Sequence, residues 1–399
     1  MDISGSAVSD TVFSGNNINN HTSNAVFARF ESSGSQNLAI SGNAIASTDG
    51  DGVVVLAVDG TVNATVSGNT VDTASGRGIV LRSSQTATMT AISNNNTTTN
   101  TSAGGVLVRA TGTSNLDATL ASNRISNSGS YGMRLQSDNA SNLSGIVSNN
   151  TIRETVASAL DVIGNDNSLI AVLAQGNIIA DITTVGIQAI ASDQSLLSLT
   201  AASNNISNTT EEGILFVGQG NSSSRFEARS NRIASIGNAS GIRASFLGNH
   251  DTETILAENL IGPTAQQGIE IATSDNTTGD FTIRDNRIND SSQDGIRMTL
   301  FSTEDQTVAL YGNNHQRTGA NGINLATQGP KQVEVYSNTI GTTGGAAARI
   351  EMQAAGLVLN GANQGNNIYI DLTPVPFDDA GTAPFTGGVG ILINDVVYP

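Results

Sequence analysis

A short pattern of apolar, small and polar positions recurs along almost the whole chain. An apolar residue is followed by two small or polar residues, an asparagine, any residue and then isoleucine, as in residues 40–45 (ISGNAI) and 147–152 (VSNNTI). The asparagines of this pattern begin at Asn16 and follow one another at intervals of 25 to 28 residues, with Asn366 as the last expected member. A fixed interval of this kind indicates an internal repeat.

A small residue marks a second fixed position in each repeat. Nine or ten residues after ten of the first thirteen asparagines stands a glycine, such as Gly78 or Gly268, and the other three repeats have alanine. Because glycine makes up only 43 of the 399 residues, chance would place it there in far fewer repeats. The asparagine and the small residue therefore belong to the same repeat and keep a fixed distance from each other.

Each repeat divides into three short strands. The first begins at the glycine, as in residues 295–298 (GIRM), the second is the alternating run before the asparagine, as in residues 307–310 (TVAL), and the third is the brief Asn-x-Ile step. Such short runs, with turns between them and no helical period, exclude an α-helical repeat. The sequence predicts an all-β fold, a three-stranded solenoid of about 13–14 coils.

The asparagines and glycines have structural explanations. Asparagine tolerates the left-handed backbone of a sharp corner, and amides stacked about 4.8 Å apart can donate to and accept from one another. Glycine is expected to let the chain bend tightly into the first strand. We assign the predicted asparagine ladder to Asn43, Asn69, Asn95, Asn123, Asn150, Asn177, Asn204, Asn231, Asn259, Asn286, Asn313 and Asn338.

This asparagine pattern, at the corner before the third strand, resembles that of the pectin-lyase-like right-handed parallel β-helix superfamily. The resemblance covers about residues 10–370 and implies a right-handed, single-stranded parallel β-helix. It also implies two types of enzyme for acidic polysaccharides: lyases with an arginine or lysine base and a cation such as calcium, and hydrolases with paired aspartates. Both types carry their functional residues on the outward face of the first strand and in adjacent loops.

The C-terminal segment departs from the repeat. Four of the six prolines lie in the last 26 residues, and proline interrupts the hydrogen bonding between strands. We therefore divide the chain into a parallel β-helix of residues 1–370 and a segment of residues 371–399. This segment is expected to contain an inserted loop at 371–387 and a final coil or C-terminal cap that begins near Ile391.

Composition and charge limit the partners. The formal net charge of −17 repels nucleic acid and anionic membrane surfaces, and without an apolar run of 18 residues no membrane insertion is expected. A surface rich in Asn, Thr, Ser and Asp, with one lysine, suits an extracellular or cell-surface bacterial protein. No signal peptide precedes the first repeat, so we expect a fragment of a longer chain. Because the chain has no cysteine, its sequence does not indicate whether the protein works in an oxidising or a reducing compartment.

The outward positions of the first strands carry the candidate chemistry. Two residues after the glycine, Arg243, Glu270 and Arg297 follow one another in successive repeats. A solvated ladder of alternating charges explains this run, since opposite charges on adjacent strands stabilise a sheet by up to about 1 kcal/mol per pair. The alternative is a groove for anionic sugars with these three residues as catalytic or binding candidates.

Shorter charged runs occur on the same face. Arg134 precedes Asp161 in the next repeat, and two positions further along the strand Arg82 and Arg109 are neighbours. These residues are expected to extend the charged surface.

Several signatures of catalysis are missing from the sequence. The hydrolase set of Asn-Thr-Asp, Asp-Asp, His-Gly and Arg-Ile-Lys motifs does not occur, and the one Asp-Asp pair, at residues 378–379, lies in the C-terminal segment. His21, His250 and His315 are scattered and are expected in exposed loops. Aromatic residues make up 4% of the chain, and the near-constant repeat length leaves no long loop to wall a cleft.

Calcium is the only cofactor that the sequence leaves open. Acidic loops at residues 49–51, 211–212 and 290–294 offer oxygens of the kind that calcium prefers. None has the form of an RTX nonapeptide or an EF-hand loop, so no metal site is predicted.

The sequence therefore favours a non-catalytic β-helical module of an extracellular or cell-surface protein, acting as a stalk, adhesin segment or spacer. The expected partner is a polysaccharide or another cell-surface component. The alternative is a polysaccharide lyase, a hydrolase or a binding module that acts on acidic polysaccharide along the first-strand face. If the chain is an enzyme, a lyase is expected.

Overall fold

The fold is made of β-strands and turns. The computed structural model describes residues 2–5, 8–328, 331–336, 338–341, 344, 348–352, 357–358, 391–393 and 396–398, and these contain no helix. Of the residues described, none therefore belongs to a helix that could cross a lipid bilayer. The chain divides into two compact units, Met1–Thr200 and Ala201–Pro399.

The first unit is a stack of three-stranded coils whose corresponding strands pair in parallel. Two long strands, Val26–Ser41 and Val53–Ser67, run through both the first and the second position. The other first strands are Asp2–Gly5, Arg77–Ser83, Gly104–Ala110, Tyr131–Ser137, Leu160–Gly164 and Ile187–Ala191. The other second strands are Ser9–Ser14, Thr88–Asn94, Asn115–Ala121, Asn142–Ser148, Leu169–Gln175 and Leu196–Ala202. The third strands are Asn17–His21, Ala44–Thr48, Thr70–Ala74, Thr97–Thr101, Arg124–Ser128, Thr151–Thr155 and Ile178–Ile182.

The second unit repeats this architecture, again with parallel pairing between coils. Its first strands are Ile214–Gly220, Ile242–Gly248, Ile269–Thr273, Ile296–Leu300, Ile323–Thr327 and Ala348–Met352. Its second strands are Ser223–Arg229, Asp251–Ala257, Thr278–Arg284, Gln306–Tyr311, Lys331–Tyr336 and Leu357–Val358. Its third strands are Asn205–Thr209, Arg232–Ile236, Leu260–Ile261, Arg287–Asn289, Asn314–Gln316 and Thr339–Ile340. The expected all-β, three-stranded solenoid is confirmed.

The C-terminal part of the sequence interpretation is only partly open to comparison. The expected loop at 371–387 and the repeat asparagine Asn366 lie outside the described residues. Ile391–Ile393 pairs antiparallel with Val396–Tyr398, whereas a further first strand would pair in parallel. The division between residues 1–370 and 371–399 stays a prediction.

Apolar side chains fill the interior of the coils, and the glycines at the first strands make room for them. A Cβ on Gly52 would lie 2.5 Å from Cγ1 of Val71, and one on Gly105 would lie 2.5 Å from Cγ2 of Ile125. Both contacted residues are third-strand residues with 0–1% exposure. Neither glycine has a positive φ, so close packing, rather than the expected tight bend, explains the glycine.

Buried asparagine amides stack at one corner of the coils. Oδ1 of Asn123 accepts the backbone N–H and the side-chain Nδ2 of Asn96, each at 3.0 Å. Nδ2 of Asn123 donates to the carbonyl oxygen of Ser93 at 2.9 Å and to Oδ1 of Asn150 at 3.1 Å. Every donor and acceptor of the amide is thereby used.

The same hydrogen bonds recur within each unit. In the first unit the stacked residues are Asn16, Asn43, Asn69, Asn96, Asn123, Asn150 and Asn177. In the second unit they are Asn204, Asn231, Asn259, Asn286, Asn313 and Asn338. Apart from the exposed Asn16, these amides connect the coils at a position with almost no access to water.

The assignment of Asn95 to the ladder is wrong, because Asn96 occupies that position. Asn96 is 27 residues from both Asn69 and Asn123 and bonds to both, whereas Asn95 is exposed. The run of three asparagines at 94–96 concealed the register. Asn95 has a φ of 54° and is the left-handed residue of the corner, as Gly42 is elsewhere with a φ of 62°.

Left-handed backbone at the corner therefore belongs to the residue before the ladder asparagine, and not to the ladder asparagine as expected. That preceding position is filled by glycine, asparagine, serine or an acidic residue, as at Gly68, Ser122 and Asp285. The hydrogen bonds of its side-chain amide, and not its backbone conformation, therefore explain the asparagine at the ladder position.

Two histidines that were expected in loops are buried. His315 takes the isoleucine position of a third strand, in register with Ile288 and Ile340. Its side chain is fully buried and neither ring nitrogen has a hydrogen-bond partner. Burial lowers the pKa of His315 to about 3, so the imidazole is neutral in the fold.

His250 is buried in a different environment. Its Nδ1 and Nε2 each lie 2.8 Å from a serine hydroxyl, those of Ser222 and Ser224, and its ring stacks on Phe246 with centroids 5.2 Å apart. Burial lowers the pKa of His250 to about 4, against a smaller opposing effect of Asp251. Only His21 is exposed as expected.

We predict that Asn96→Ala destabilises the protein strongly and that Asn95→Gly does not. The first change leaves the buried backbone N–H of Asn69 without its acceptor and removes the amide–amide hydrogen bonds of residue 96 to Asn69 and Asn123, which should cost about 2–6 kcal/mol. Glycine at residue 95 suits its left-handed φ, so the change should stay within about 1 kcal/mol. Urea unfolding followed by circular dichroism measures both, and equal losses would contradict the corrected register.

We predict that His315→Ile raises stability, and more so at low pH. The folded pKa lies below the unfolded value, so the unfolded chain binds more protons below pH 6.5 and stability falls as the pH decreases toward 3. The gain should be about 2 kcal/mol larger at pH 5 than at pH 7. Urea midpoints at both pH values measure it, with exposed His21→Ala as the control. A gain that is the same at pH 5 and pH 7 would disprove the assignment.

Candidate functional site

The sequence-predicted triple lies on adjacent first strands of the second unit. Arg243 is in register with Glu270, and Glu270 with Arg297. Nη1 of Arg243 lies 3.4 Å from Oε1 of Glu212, and its Nε lies 3.7 Å from Oε2 of Glu270. Ser240 donates to the Glu270 carboxylate at 3.1 Å.

This arrangement neutralises most of the triple. Arg243 sits between two carboxylates, and the exposed Arg297 has no ion-pair partner among the described residues. The structure therefore brings Arg243 and Glu270 into one ion-pair network and leaves Arg297 in solvent. An arrangement of this kind fits a ladder of alternating charges.

A second group of arginines lies on the outward face of the first unit. We call Arg77, Arg82, Arg109, Tyr131 and Arg134 the arginine face. It surrounds an apolar column of outward-pointing residues, Val54, Val80 and Leu107, which are only 7%, 2% and 6% exposed.

The Tyr131 side chain covers this apolar column. Its hydroxyl accepts a hydrogen bond from Nε of Arg77, 54 residues earlier, at 2.9 Å. The guanidinium carbon of Arg134 lies 4.1 Å from the ring centroid, a cation–π contact. A Cβ on Gly104 would lie 2.6 Å from the ring, so glycine at this position makes room for the tyrosine.

Three arginines of the arginine face are paired with carboxylates. Arg77 lies 3.7 Å from Asp51, Nε of Arg109 lies 2.7 Å from Asp138, and Nη2 of Arg134 lies 2.6 Å from Asp161. Burial favours the neutral form of Asp138. Hydrogen bonds from Asn165, Gln136 and Arg109 nevertheless hold its pKa below the usual range.

Arg82 is the exception on this face. It is in register with Arg109 on one side and with Leu56 on the other, is half-buried, and has no ion pair or hydrogen bond among the described residues. Burial lowers the pKa of Arg82, and the charges of Arg109 and Arg77 lower it further. The structure thus holds a cation without an ion pair next to a second guanidinium, and the charges of Asp51 and Asp138 offset only part of the unfavourable effects.

The comparisons with known proteins agree with the coiled architecture. A family model described as "Right handed beta helix region" matches residues 1–119, within the stack of parallel coils. The chain is a right-handed parallel β-helix. No curated protein matches it.

Several solved structures are similar to this β-helix at low identity. The periplasmic alginate epimerase AlgG is 12% identical, with a TM-score of 0.38, over 72% of this chain and 76% of that chain. The mannuronan C-5 epimerase AlgE4 A-module of Azotobacter vinelandii is 12% identical, with a TM-score of 0.38, over 84% and 91%. The catalytic domain of a GH87 α-1,3-glucanase is 14% identical, with a TM-score of 0.32, over 79% and 61%. At this level of similarity they carry no information on function.

The arginine face of the β-helix can hold an oxyanion above a buried apolar cluster. Guanidinium groups bind carboxylates and related oxyanions through charge-assisted, often bidentate hydrogen bonds. The sequence indicated Arg82 and Arg109 as neighbours but gave no reason to prefer them over the triple. Nothing in the sequence pointed to Arg77 and Tyr131, because neither occupies the repeat position used to read the outward face.

The acidic loops of the β-helix are engaged in protein contacts. Asp51 accepts the backbone N–H of Arg77 at 2.6 Å, Glu212 pairs with Arg243, and Asp294 accepts Nδ2 of Asn321 at 2.8 Å. Within the part of the chain that the structure describes, no three histidine or acidic residues group as metal ligands would. Calcium binding stays an untested expectation.

We predict that Tyr131→Ala destabilises the first unit and that Tyr131→Phe has a much smaller effect. Alanine uncovers Val54, Val80 and Leu107 and should cost about 3 kcal/mol. Phenylalanine keeps the cover and loses only the hydrogen bond from Arg77, about 1 kcal/mol. Urea unfolding of both variants measures the difference, and equal losses would show that the ring does not cover the column.

Proposed function

We propose that this β-helix is a module of an extracellular or cell-surface protein that binds acidic polysaccharide along the outward face of its first strands. The proposal rests on the arginine face of the first unit. It replaces the Arg243, Glu270 and Arg297 triple as the first place to test, because the carboxylates of Glu212 and Glu270 already neutralise Arg243.

The observation that carries the proposal is that the charge of Arg82 has no ion-pair partner among the described residues. In a chain with a formal net charge of −17, carboxylates are abundant, yet none pairs with this half-buried guanidinium among the described residues. Holding two guanidinium groups in register costs electrostatic energy that a bound anion relieves. An external oxyanion is therefore a fitting partner for Arg82 and Arg109.

The surroundings of Arg82 favour a sugar as the carrier of that oxyanion. Val54, Val80, Leu107 and Tyr131 are at most 7% exposed, so they support the arginines from below and leave the polar groups of the face to meet a ligand. A sugar carboxylate can reach the guanidinium groups, and its hydroxyl groups can hydrogen-bond to polar side chains such as Gln136, which is in register with Arg109. Charge-assisted and neutral hydrogen bonds together give both affinity and orientation.

A second candidate is a polysaccharide lyase at the same face. The position of Arg82, without an ion pair and in register with Arg109, favours it, because a lyase needs one group to hold the uronate carboxylate and a base to accept a proton from the adjacent carbon while the glycosidic C–O bond breaks. The binding proposal needs only the charge and the geometry, and so it comes first.

We predict saturable, salt-sensitive binding to at least one acidic polysaccharide in a panel of uronate polymers, with neutral dextran as the negative control. Calorimetry at low and high ionic strength measures binding, since screening weakens exposed ionic contacts. Arg82→Ala should weaken binding about tenfold, whereas the exposed third-strand variant Arg124→Ala removes the same charge and should have little effect.

The same samples are assayed for unsaturated products and new reducing ends, with and without calcium. Binding without products supports the module, and unsaturated products that Arg82→Ala abolishes support the lyase. If no polymer of the panel binds, the proposed function is wrong.

A further inference from the structure

We infer that the arginine face selects sparsely charged polysaccharides, in which one anionic group lies between neutral sugars, over polymers with a charge on every sugar. The inference rests on the proposed function and adds the class of polymer. Its basis is the distribution of paired and unpaired charges around Arg82.

The charge balance of the face leaves one positive charge. Its four arginines stand against three carboxylates, and three of the arginines are already paired. The pairs are Arg77 with Asp51, Arg109 with Asp138 and Arg134 with Asp161. One monovalent anion neutralises the remaining guanidinium of Arg82. A second anion at the same place would leave the face with a negative charge.

The carboxylates also surround the free guanidinium. Asp51 and Asp138 both act electrostatically on Arg82, and each is paired with an arginine of the face, Asp51 with Arg77 and Asp138 with Arg109. An anionic group bound at Arg82 and Arg109 is attracted overall, but a further anionic group on the next sugar would approach Asp51 or Asp138. Like charges at such distances repel each other, more strongly in a half-buried site than in water.

Neutral residues limit the cationic positions along the stack. In the column of outward positions, Leu56 separates Arg82 from Arg29, whose charge is paired with Glu31, and Gln136 and Ile163 follow Arg109. The Gln136 amide donates to Asp138 at 2.9 Å and carries no charge. The sugars on either side of the bound anion thus meet leucine, glutamine and isoleucine, which suits uncharged groups.

The net charge of the whole chain also disfavours polymers with many charges. A formal net charge of −17 repels a polyanion beyond the site over a Debye length of about 8–10 Å. A polymer with few charges avoids most of this repulsion and still offers the one anion that Arg82 needs. Carboxylates and sulfate esters share the required chemistry, a monovalent oxyanion.

The test compares polymers that share a backbone and differ in charge. Galacturonan and alginate are each used with all carboxylates free and with about half of them esterified. Calorimetry at low ionic strength should show at least threefold tighter binding per site for the half-esterified form of the backbone that binds. Arg82→Ala should weaken binding of that form about tenfold, and Arg124→Ala should leave it unchanged.

A second variant tests the charge count itself. Asp138→Asn keeps hydrogen-bonding capacity and frees the charge of Arg109, so the face gains a second uncompensated guanidinium. The variant should bind the fully charged form more tightly than the wild type does, and the preference for the half-esterified form should decrease or reverse. An unchanged preference would overturn the proposed charge balance.

The outcomes separate the inference from the function on which it rests. If the fully charged form binds more tightly than the half-esterified form, the inference fails and acidic polysaccharide binding stands. If no acidic form of any backbone binds, the proposed function itself fails. Hyaluronan and a galactan with one sulfate ester per disaccharide distinguish the oxyanion: binding of either supports the inference, and failure of both when a fully charged polymer binds contradicts it.

Discussion

The buried amide stack is the interaction on which the coils of each unit depend. A corner of the solenoid turns the backbone away from its strand neighbours, and its N–H group needs an acceptor that the next strand does not supply. Oδ1 of the next ladder asparagine supplies it, as when Asn123 accepts the N–H of Asn96 at 3.0 Å. The same oxygen accepts the amide of Asn96 as well. The corner is therefore satisfied only when the coils are in register, which holds the repeat length between 25 and 28 residues.

That constraint shapes what the surface can do. Because every coil has nearly the same length, a residue at a given repeat position meets its counterparts about 4.8 Å away in adjacent coils. A site on such a surface arises from a column of side chains, and its charge is set by which residues neighbour one another. Arg243 next to Glu270 gives a neutral pair, whereas Arg82 next to Arg109 gives an excess of positive charge. Arginine on the outward face of a first strand thus has different chemistry in the two units, depending on its neighbour in the adjacent coil.

Much of the fold was predictable from the sequence, because the ladder and the glycines repeat at intervals that depend only on the coil. The wrong predictions concern single residues that differ from the repeat pattern. Asn96 was hidden within a run of asparagines that satisfy the pattern equally well, and His315 takes an isoleucine position that no polar residue was expected to fill. The candidate site was less predictable, since the Tyr131 side chain reaches back 54 residues to Arg77. Arg77, Gly104 and Tyr131 are in register in one column, and spacing alone does not show that a side chain extends past a glycine to the coil beyond.

The contrast between the two arginine groups also explains why charge patterning alone could not rank them. In the sequence, the alternation of Arg243, Glu270 and Arg297 is conspicuous, but alternation is what neutralises charges in a parallel stack. Two like charges in register are unfavourable for folding unless something else compensates them, so their presence has to be explained. At Arg82 no described carboxylate forms an ion pair, and burial and the neighbouring arginines lower its pKa more than Asp51 and Asp138 raise it. On a β-helix, the position that costs stability without a partner inside the chain is therefore the better guide to where a partner outside the chain binds.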